Sequence, residues 1–426
     1  MPYSLPAEEL KHLRELAKRQ AEIAALPVMA ARRKLWTDVN DNVPGARPPF
    51  VINPGTFWRD FMEGAEFRIK DGIGRKLESM FLFNIRTHEI LGDDHVCPDS
   101  IPVGWLINHD EFGIDIKTEH AVDADGNSLG YHVECPLKDL SGGFEHIIKP
   151  ASFAVDKAGT KEHRAFLEEC FGDILPVVMR GPSILGCLTQ RLLRLMTMET
   201  FYTEVYDHPE TLHALMALLR DNARRHILWC QEEGLLTLNN GNQTTSGSYA
   251  NFTTRLPKTE NEKVFATDLW GQIDSQETVG ISPEMFHEFC FPYYRDVAEL
   301  TGLLYWGCCE PMAPLWEKSL SHLPNLAAIS ISRWENQNEI AEMLDGRGVV
   351  FARKPNPNFL GVGKNLDEDG WAAEIRSTLE AVAGKNIPLA FDVRCVNSLN
   401  GNLPKTRRAV EIANREIDKF HMKCKH

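Results

Sequence analysis

The second half of the chain alternates short apolar runs with long helical patterns, and this alternation constrains the fold more than any other feature. After Gly172, each β-branched run ends in Gly, Asp, Asn or Ser and is followed by a longer segment with helical spacing. Such an alternation is typical of parallel βαβ units in an α/β protein. The predicted strands are Ile174–Met179, Leu236–Asn239, Val264–Leu269, Leu303–Trp306, Ala327–Ile331, Val349–Ala352 and Leu389–Val393.

These seven strands, with one more available upstream, predict a (β/α)8 TIM barrel. The main alternative is an open doubly wound sheet, which is disfavoured because no Gly-x-Gly-x-x-Gly turn opens a helix. Residues 131–426 are predicted to form the barrel. Residues 1–130 are predicted to form an N-terminal helical and mixed extension, which begins with a helix from Ala7 to about Arg33.

The charge balance excludes some classes of function. The 426 residues include 46 Lys and Arg against 60 Asp and Glu, a formal net charge of −14. An acidic surface repels phosphate backbones and anionic lipids, so neither nucleic acid nor membrane is expected as a partner. No run approaches about 18 uncharged apolar residues, and the N-terminus lacks the apolar segment of a secretory signal. We therefore expect a cytoplasmic protein whose ten cysteines are reduced thiols.

The most unusual segment is the apolar run Leu303–Trp306, which leads through Gly307 into two adjacent cysteines and Glu310. In a barrel, chemistry belongs at the carboxyl ends of the strands. Cys395 follows the last predicted strand and is expected on the same rim. Thiolates are soft ligands that favour zinc, and a carboxylate can add an oxygen ligand. The sequence therefore predicts a zinc site with an open position, formed by Cys308, Cys309, Cys395 and Glu335.

Each of these ligands has a purely structural alternative. Free cysteines are among the most buried residue types and often only fill a core. Successive residues of an extended strand point to opposite faces, so only one of Cys308 and Cys309 needs to face the barrel axis. Glu335 can instead be a loop acid or the cap of the helix that begins near Gln337.

Other side chains near predicted strand ends are candidates for catalysis or substrate binding, because small-molecule pockets combine apolar walls with a few polar groups. The catalytic candidates are Glu310 and Asp268. The substrate-binding candidates are Trp306, Gln276, Asn239 and Arg353. The structural alternatives are a core position for Trp306, a capped surface turn around Asp268 and Gln276, a surface turn at Asn239, and a loop cap at Arg353.

Three segments of the second half carry a family resemblance. They are GISPEMFHEFCFPYY at 280–294, the strand and thiols at Leu303–Glu310, and Cys395 with the later Leu403-Pro404-Lys405-Thr406. Together they resemble the uroporphyrinogen decarboxylase superfamily over about residues 170–426, and most of all its zinc-dependent, corrinoid-linked methyltransferases. That branch holds zinc through a His-x-Cys pair and a distant Cys.

The match to the zinc motif of that branch is incomplete. Cys395 matches the distant Cys, and Cys308 or Cys309 matches the Cys of the pair. The histidine position holds Trp306 or Gly307, and neither can bind a metal. The second thiol, a carboxylate of Glu310 or Glu335, or a histidine of the N-terminal half such as His109 or His120 would have to replace it.

The resemblance implies a barrel enzyme that moves a methyl group between a small methylated substrate, or a thiol, and the cobalt of a corrinoid. No Asp-x-His-x-x-Gly motif is present, so a corrinoid-binding partner protein would supply the corrinoid in trans. Zinc would activate the group that gains or loses the methyl. One alternative is a uroporphyrinogen-decarboxylase-like lyase that acts on a small carboxylate without metal, and another is a non-enzymatic partner of a metabolic complex. A homodimer is the ordinary expectation for such a chain.

Overall fold

The computed structural model describes residues 3–122, 128–258 and 261–424 of an α/β protein. Its strands are β1 Phe50–Ile52, β2 Ile101–Gly104, β3 Leu106–Asp110, β4 Thr118–Val122, β5 Ser128–Val133, β6 Ser152–Asp156, β7 Val177–Arg180, β8 Ile184–Leu185, β9 Trp270–Ile273, β10 Leu303–Trp306, β11 Leu326–Ile331, β12 Val350–Arg353 and β13 Leu389–Val393.

The helices surround the strands. They are α1 Ala7–Ala24, α2 Pro27–Asn40, α3 Trp58–Met62, α4 Gly72–Arg86, α5 Lys157–Phe171, α6 Leu188–Leu195, α7 Met198–Asp207, α8 Pro209–Glu232, α9 Pro283–Phe289, α10 Phe291–Ala298, α11 Ala313–Trp316, α12 Gln337–Leu344, α13 Asn358–Gly361, α14 Glu368–Ala381 and α15 Pro404–Cys424. In the described part of the chain, no helix is both long enough and apolar enough to cross a membrane.

The main sheet has seven parallel strands in the order β1-β13-β12-β11-β10-β9-β8. A separate parallel pair joins β2 to β7, and β3–β6 and β4–β5 are antiparallel pairs. Within the residues that the structure describes, strand pairing does not close the main sheet into a ring. The α/β class and the parallel sheet agree with the sequence prediction.

Two predicted strands differ from the structure because side chains replace or interrupt the backbone pairing. Residues 236–239 form no strand, and the Asn239 side chain instead bonds to the backbone N and O of Trp270 at 2.8 and 2.9 Å. The strand predicted at 264–269 begins later, as β9. It is preceded by a 3-10 turn over Ala266–Asp268, in which the Asp268 carboxylate accepts a hydrogen bond from Phe265 N at 3.0 Å.

The two faces of the main sheet have different neighbours. On β10, Leu304 and Trp306 belong to the large apolar cluster that includes the helices, whereas Leu303 and Tyr305 belong to a second cluster on the other face. We call the side with Tyr305 the inner face. β10 pairs in a continuous register with β9, and Tyr305 lies opposite Gln272. Side chains of neighbouring strands therefore lie next to one another on the inner face.

The N-terminal segment contributes to the main sheet as well as to the helices. The single helix predicted over 7–33 is two helices, α1 and α2, because Pro27 occupies the first position of the second one, where proline is well tolerated. β1 pairs with β13 as an edge strand. The division of the chain at residue 130 stays a prediction, with the added fact that β1 of the predicted extension belongs to the main sheet.

Candidate active site

Three cysteine thiols come together at the carboxyl edge of the main sheet. Cys308 and Cys309 follow β10, and Cys395 follows β13. The Sγ atoms of Cys308 and Cys309 lie 3.6 Å apart, and Cys309 and Cys395 are near enough for the thiol of each to shift the pKa of the other. We call these three side chains the thiol cluster. The fold thus brings together residues that are distant in sequence.

Unusual backbone conformations present the thiols. Gly307 has a φ of +104°, and a Cβ at this position would collide with a neighbouring side chain. Cys395 is left-handed, with a φ of +65°, which is uncommon for a residue other than glycine and concentrates at functional sites. Ser330 Oγ donates to the Cys308 carbonyl oxygen at 2.7 Å, and Lys354 Nζ donates to the same oxygen. Neighbouring strands therefore hold the loop in place.

Two buried cations set the electrostatics of the thiol cluster. Lys354 follows β12 and Arg394 follows β13, and both side chains are buried. The hydrogen bond from Cys309, together with the charges of Arg394 and Lys354, lowers the pKa of Cys395 to about 6. The hydrogen bond with Cys309 and burial raise the pKa of Cys308. At neutral pH Cys395 is therefore a thiolate, whereas Cys308 keeps its proton.

Asp392 and Arg394 leave polar atoms without partners beside the thiol cluster. Asp392 Oδ2 accepts a hydrogen bond from Ser248 N at 3.2 Å, and Arg394 Nη1 donates to Ser246 Oγ at 2.9 Å. Asp392 Oδ1 and Arg394 Nη2 are buried and have no hydrogen-bond partner among the described residues. Buried polar atoms of native proteins nearly always have a partner. These two atoms therefore keep a hydrogen-bonding capacity that no described residue uses.

Glu310, which the sequence analysis proposed as catalytic, positions the thiol loop. The side chain is 2% exposed. Its Oε1 accepts from Ser275 N at 2.8 Å, and its Oε2 accepts from Cys308 N at 2.9 Å. These charge-assisted hydrogen bonds tie the Cys308 backbone to the segment that follows β9. Because both oxygens are engaged in this way, the structure gives Glu310 a positioning role instead of a catalytic one.

Glu335, which was proposed as a metal ligand, caps a helix instead. Its Oε2 accepts a hydrogen bond from Met312 N, and its Oε1 accepts one from Ala313 N at 3.1 Å, at the start of α11. The first N–H groups of a helix lack partners within the helix, and a carboxylate is a favourable acceptor for them. Burial raises the pKa of Glu335. A capping role was the structural alternative given for Glu335. The helix that Glu335 caps is α11, however, and not the helix that begins near Gln337.

Two residues proposed to bind substrate face the helices. The Trp306 ring packs against the rings of Phe286 and Tyr294, with centroids 6.4 and 5.4 Å away. Arg353 is buried and forms an ion pair with Glu374 of α14 at 3.0 Å. Successive side chains of a strand point to opposite faces. As a correction to the sequence analysis, both side chains therefore belong to the helical layer instead of the candidate site.

The remaining three candidates lie at other places. Asp268 precedes β9, at the opposite edge from the thiols, where its oxygens accept hydrogen bonds from Lys258 N and Phe265 N. This position corrects the proposed catalytic role, because the carboxylate stabilises a turn there. Asn239 lines a cavity of about 400 Å³, and Gln276 lines a different cavity of about 690 Å³.

Lys354, Asp392 and Arg394 also lie at the site, although none of them is among the predicted site residues. Each of them is a charged residue at or just after the end of an apolar strand. A charged side chain in such a place must either reach solvent or find a buried partner. That signal was available, but choosing between Arg353 and Lys354 requires knowing which face each one occupies.

The thiol cluster fits zinc in its chemistry but not in its arrangement. Thiolate sulfur is the preferred ligand of zinc, and a catalytic site keeps three protein ligands and an open position. Across residues 3–122, 128–258 and 261–424, however, no group of three or more His, Cys, Asp or Glu side chains is placed to hold a metal ion. Glu310 and Glu335 are engaged by backbone N–H groups. The zinc site therefore stays a prediction.

The comparisons with known proteins are sparse. No protein-family model matches the chain, and no curated protein matches it. Among solved structures, the chain is similar to one described as a methyltransferase from Methanosarcina mazei, with 13% sequence identity and a TM-score of 0.48 over 91% of this chain and 98% of that chain. A likeness at this level carries no argument about the family or the activity of the chain.

Proposed function

We propose that this chain is a methyltransferase and that the thiol cluster is where the methyl group is handled. The observation that supports this proposal is the meeting of three thiols, from the ends of β10 and β13, with the buried cations Lys354 and Arg394. The carboxyl ends of parallel strands are the usual place for chemistry in α/β proteins.

The side chains around the cluster have the properties that methyl transfer requires. A group that gives up a methyl keeps the electron pair of the broken bond, so negative charge develops on it and needs stabilisation. Lys354 and Arg394 supply positive charge at a buried place, where it acts more strongly than in water. Cys395 supplies a thiolate, and the partnerless atoms of Asp392 and Arg394 offer hydrogen bonds that would orient a small molecule.

Zinc is part of this proposal as the metal that Cys308, Cys309 and Cys395 would hold. When bound, zinc supplies a Lewis acid that stabilises a sulfur or oxygen anion without redox chemistry. The support for zinc is the soft character of the three donors. The proposal has further parts that rest on the sequence. They are a corrinoid-binding protein as the methyl partner, a small methylated molecule or a thiol as the other reactant, a homodimer and a cytoplasmic location.

We also propose that the strands form an eight-position barrel. Only residues 181–183 separate β7 from β8, so the two can count as one interrupted strand that continues the main sheet through β7 to β2. On the other side, the free edge of β1 is satisfied by side chains, because Phe50 N donates to Asp94 and Ile52 N donates to Asp93, each at 2.9 Å. In such a barrel the thiol cluster would lie on the carboxyl rim.

Metal content is the first test. The wild-type protein and the Cys309→Ser and Cys395→Ser variants are purified under reducing conditions without chelator, and zinc is measured by elemental analysis. We expect about one zinc per chain in the wild type and loss of zinc in both variants. Cys135→Ser is the control, because Cys135 is a buried thiol that bonds to the Leu193 carbonyl oxygen and not to a residue of the thiol cluster, and this variant should keep its zinc.

Activity is the second test. The same proteins are mixed with cob(I)alamin and a panel of methoxylated, methylthio and methylamine compounds, and formation of methylcobalamin is followed by absorbance. In this reaction the methyl bond to oxygen, sulfur or nitrogen breaks, a carbon–cobalt bond forms, and the leaving group departs with the electron pair. We expect transfer by the wild type and by Cys135→Ser, and at least a hundredfold loss in Cys395→Ser. Equal rates in all three would contradict the role of the thiol cluster.

A further inference from the structure

A cavity of about 400 Å³ opens between β7, β9 and the segment 237–245. Its volume lies within the range of small-molecule sites. The polar part of its lining includes Arg180, Thr237, Asn239 and Gln272, and the apolar part includes Met80, Trp270 and Ile184. We call it the Arg180 cavity.

Arg180 is the one formally charged side chain among the residues that line this cavity in the described part of the chain. It is the last residue of β7 and is partly buried, and burial lowers the pKa of its guanidinium. Within the described residues, that guanidinium makes no hydrogen bond and no ion pair. The charge that influences it belongs to Asp99, an exposed carboxylate that pairs with Arg33 at 3.5 Å.

Two neutral polar side chains of the cavity wall are engaged by the protein. The Asn239 side chain bonds to the backbone of Trp270, and Thr237 Oγ1 accepts from Gly181 N at 2.7 Å. These contacts fix the wall, and the Arg180 guanidinium is the charged group of the cavity that no described acceptor engages. A guanidinium prefers a carboxylate, which it can bind through two parallel hydrogen bonds.

The Arg180 cavity is connected to the thiol cluster through a shared hydroxyl. Gln272 lines the cavity, and its Nε2 donates to Ser246 Oγ at 3.2 Å. The same Ser246 Oγ accepts from Arg394 Nη1 at 2.9 Å, and Arg394 immediately precedes Cys395. Two hydrogen bonds therefore separate a residue of the cavity wall from the cation that stabilises the Cys395 thiolate.

We propose that the Arg180 cavity binds the substrate through a carboxylate, so that the substrate is a small organic acid with an apolar body. The apolar body would lie against Met80, Trp270 and Ile184, and the carboxylate would meet Arg180. This inference rests on the proposed function in one respect, namely that the bound acid is the methyl donor or acceptor of the thiol cluster.

The test uses benzoate as an aromatic monoanion and benzamide as its uncharged analogue, titrated into the full-length protein by calorimetry. We expect benzoate to bind the wild type at least tenfold more tightly than benzamide does. In Arg180→Gln the affinity for benzoate should fall at least tenfold, to the level of benzamide. Arg180→Lys keeps the charge without the paired donors and should lie between the two.

Two controls separate this proposal from the proposed function. Arg164→Gln removes an exposed charge of α5 and should leave benzoate binding unchanged, which excludes an effect of net charge. Cys395→Ser should also bind benzoate as the wild type does, because binding needs no reaction at the thiols. Failure of wild-type binding, equal affinity for benzoate and benzamide, or unchanged binding in Arg180→Gln would each overturn the proposal, whatever the outcome of the methyl-transfer assay.

Discussion

Asp274 gives the sharpest test of the electrostatics around the candidate site. It follows β9, is 3% exposed, and its Oδ1 accepts a hydrogen bond from Gln190 Nε2 at 2.7 Å. Burial, followed by the negative charge of Glu310, raises its pKa from 3.8 to about 7. The native protein therefore binds a proton on Asp274 that the unfolded chain has already lost at the same pH.

The direction and size of the resulting pH effect follow from this difference. Between about pH 4 and pH 7 the native state holds more protons than the unfolded state. The contribution of Asp274 to the free energy of unfolding therefore falls as pH rises. Each pKa unit corresponds to about 1.4 kcal/mol, so the full loss is roughly 4 kcal/mol. Between about pH 5 and pH 8 the loss is about 3 kcal/mol. Asp274→Asn removes the titration and should remove this part of the pH dependence.

The assay compares urea unfolding of the wild type and Asp274→Asn at about pH 5 and about pH 8. We expect the variant to gain about 3 kcal/mol relative to the wild type over that interval. Asp207→Asn, at an exposed position near the end of α7, should show the pH dependence of the wild type. If Asp274→Asn also keeps the wild-type pH dependence, Asp274 is ionised at its ordinary pKa and the reasoning is refuted.

Three other predictions follow from the positions of residues at strand ends. Glu374→Gln leaves the buried charge of Arg353 unpaired and should cost about 3–5 kcal/mol in unfolding free energy, whereas Arg353→Met combined with Glu374→Leu should recover most of it. Trp306→Ala should cost about 3–5 kcal/mol in denaturant unfolding, because a fully buried ring leaves a cavity between helix side chains. The folded Trp306→Ala variant should still bind a small-molecule ligand such as benzoate with wild-type affinity. In metal-free protein, alkylation of Cys395 by iodoacetamide should show a midpoint near pH 6, and Cys309→Ala should raise that midpoint because it removes the hydrogen bond that lowers the pKa most. A midpoint unchanged by Cys309→Ala would contradict that cause.

The sequence predicted the parallel architecture because apolar β-branched runs and helical spacing are local properties of the chain. The strands Leu303–Trp306 and Leu389–Val393 were predicted with the bounds that the structure has. The meeting of the segments after them also follows from local reasoning, since carboxyl ends of parallel strands share one edge of a sheet. This is why residues as distant as Cys309 and Cys395 were expected together.

The choice of individual side chains at strand ends was less successful, and the cause is the alternation of faces. A strand buried on both sides reads as a continuous apolar run, so its sequence does not reveal which residues face inward. Trp306 and Arg353 were selected for their chemistry, yet each points to the helices. The inward positions are held by Tyr305, one residue earlier, and by Lys354, one residue later.

The segment 240–256 was the least predictable part of the site. A polar sequence of this kind is typical of a surface loop and also of a segment that lines the inner face. Just before this segment, the sequence offered only a surface turn at Asn239 as the structural alternative. Instead Tyr249 is fully buried against the rings of Trp270 and Tyr305. Gly247 next to Ser248 has a φ of +60°, and a Cβ there would collide with Asp392 and Arg394.

The polarity of that segment is explained by what it covers. Asp392 and Arg394 are buried charges, and a buried charge requires hydrogen-bonding partners. Ser248 N and Ser246 Oγ supply them at 3.2 and 2.9 Å, and Ser246 also accepts from Gln272 on the cavity side. An apolar residue at position 246 would leave Arg394 without its hydroxyl acceptor, whereas the backbone N–H of residue 248 would still donate to Asp392. The segment therefore joins the Arg180 cavity to the thiol cluster, and the residue types at Ser246 and Gly247 are set by charges about 145 residues away in the chain.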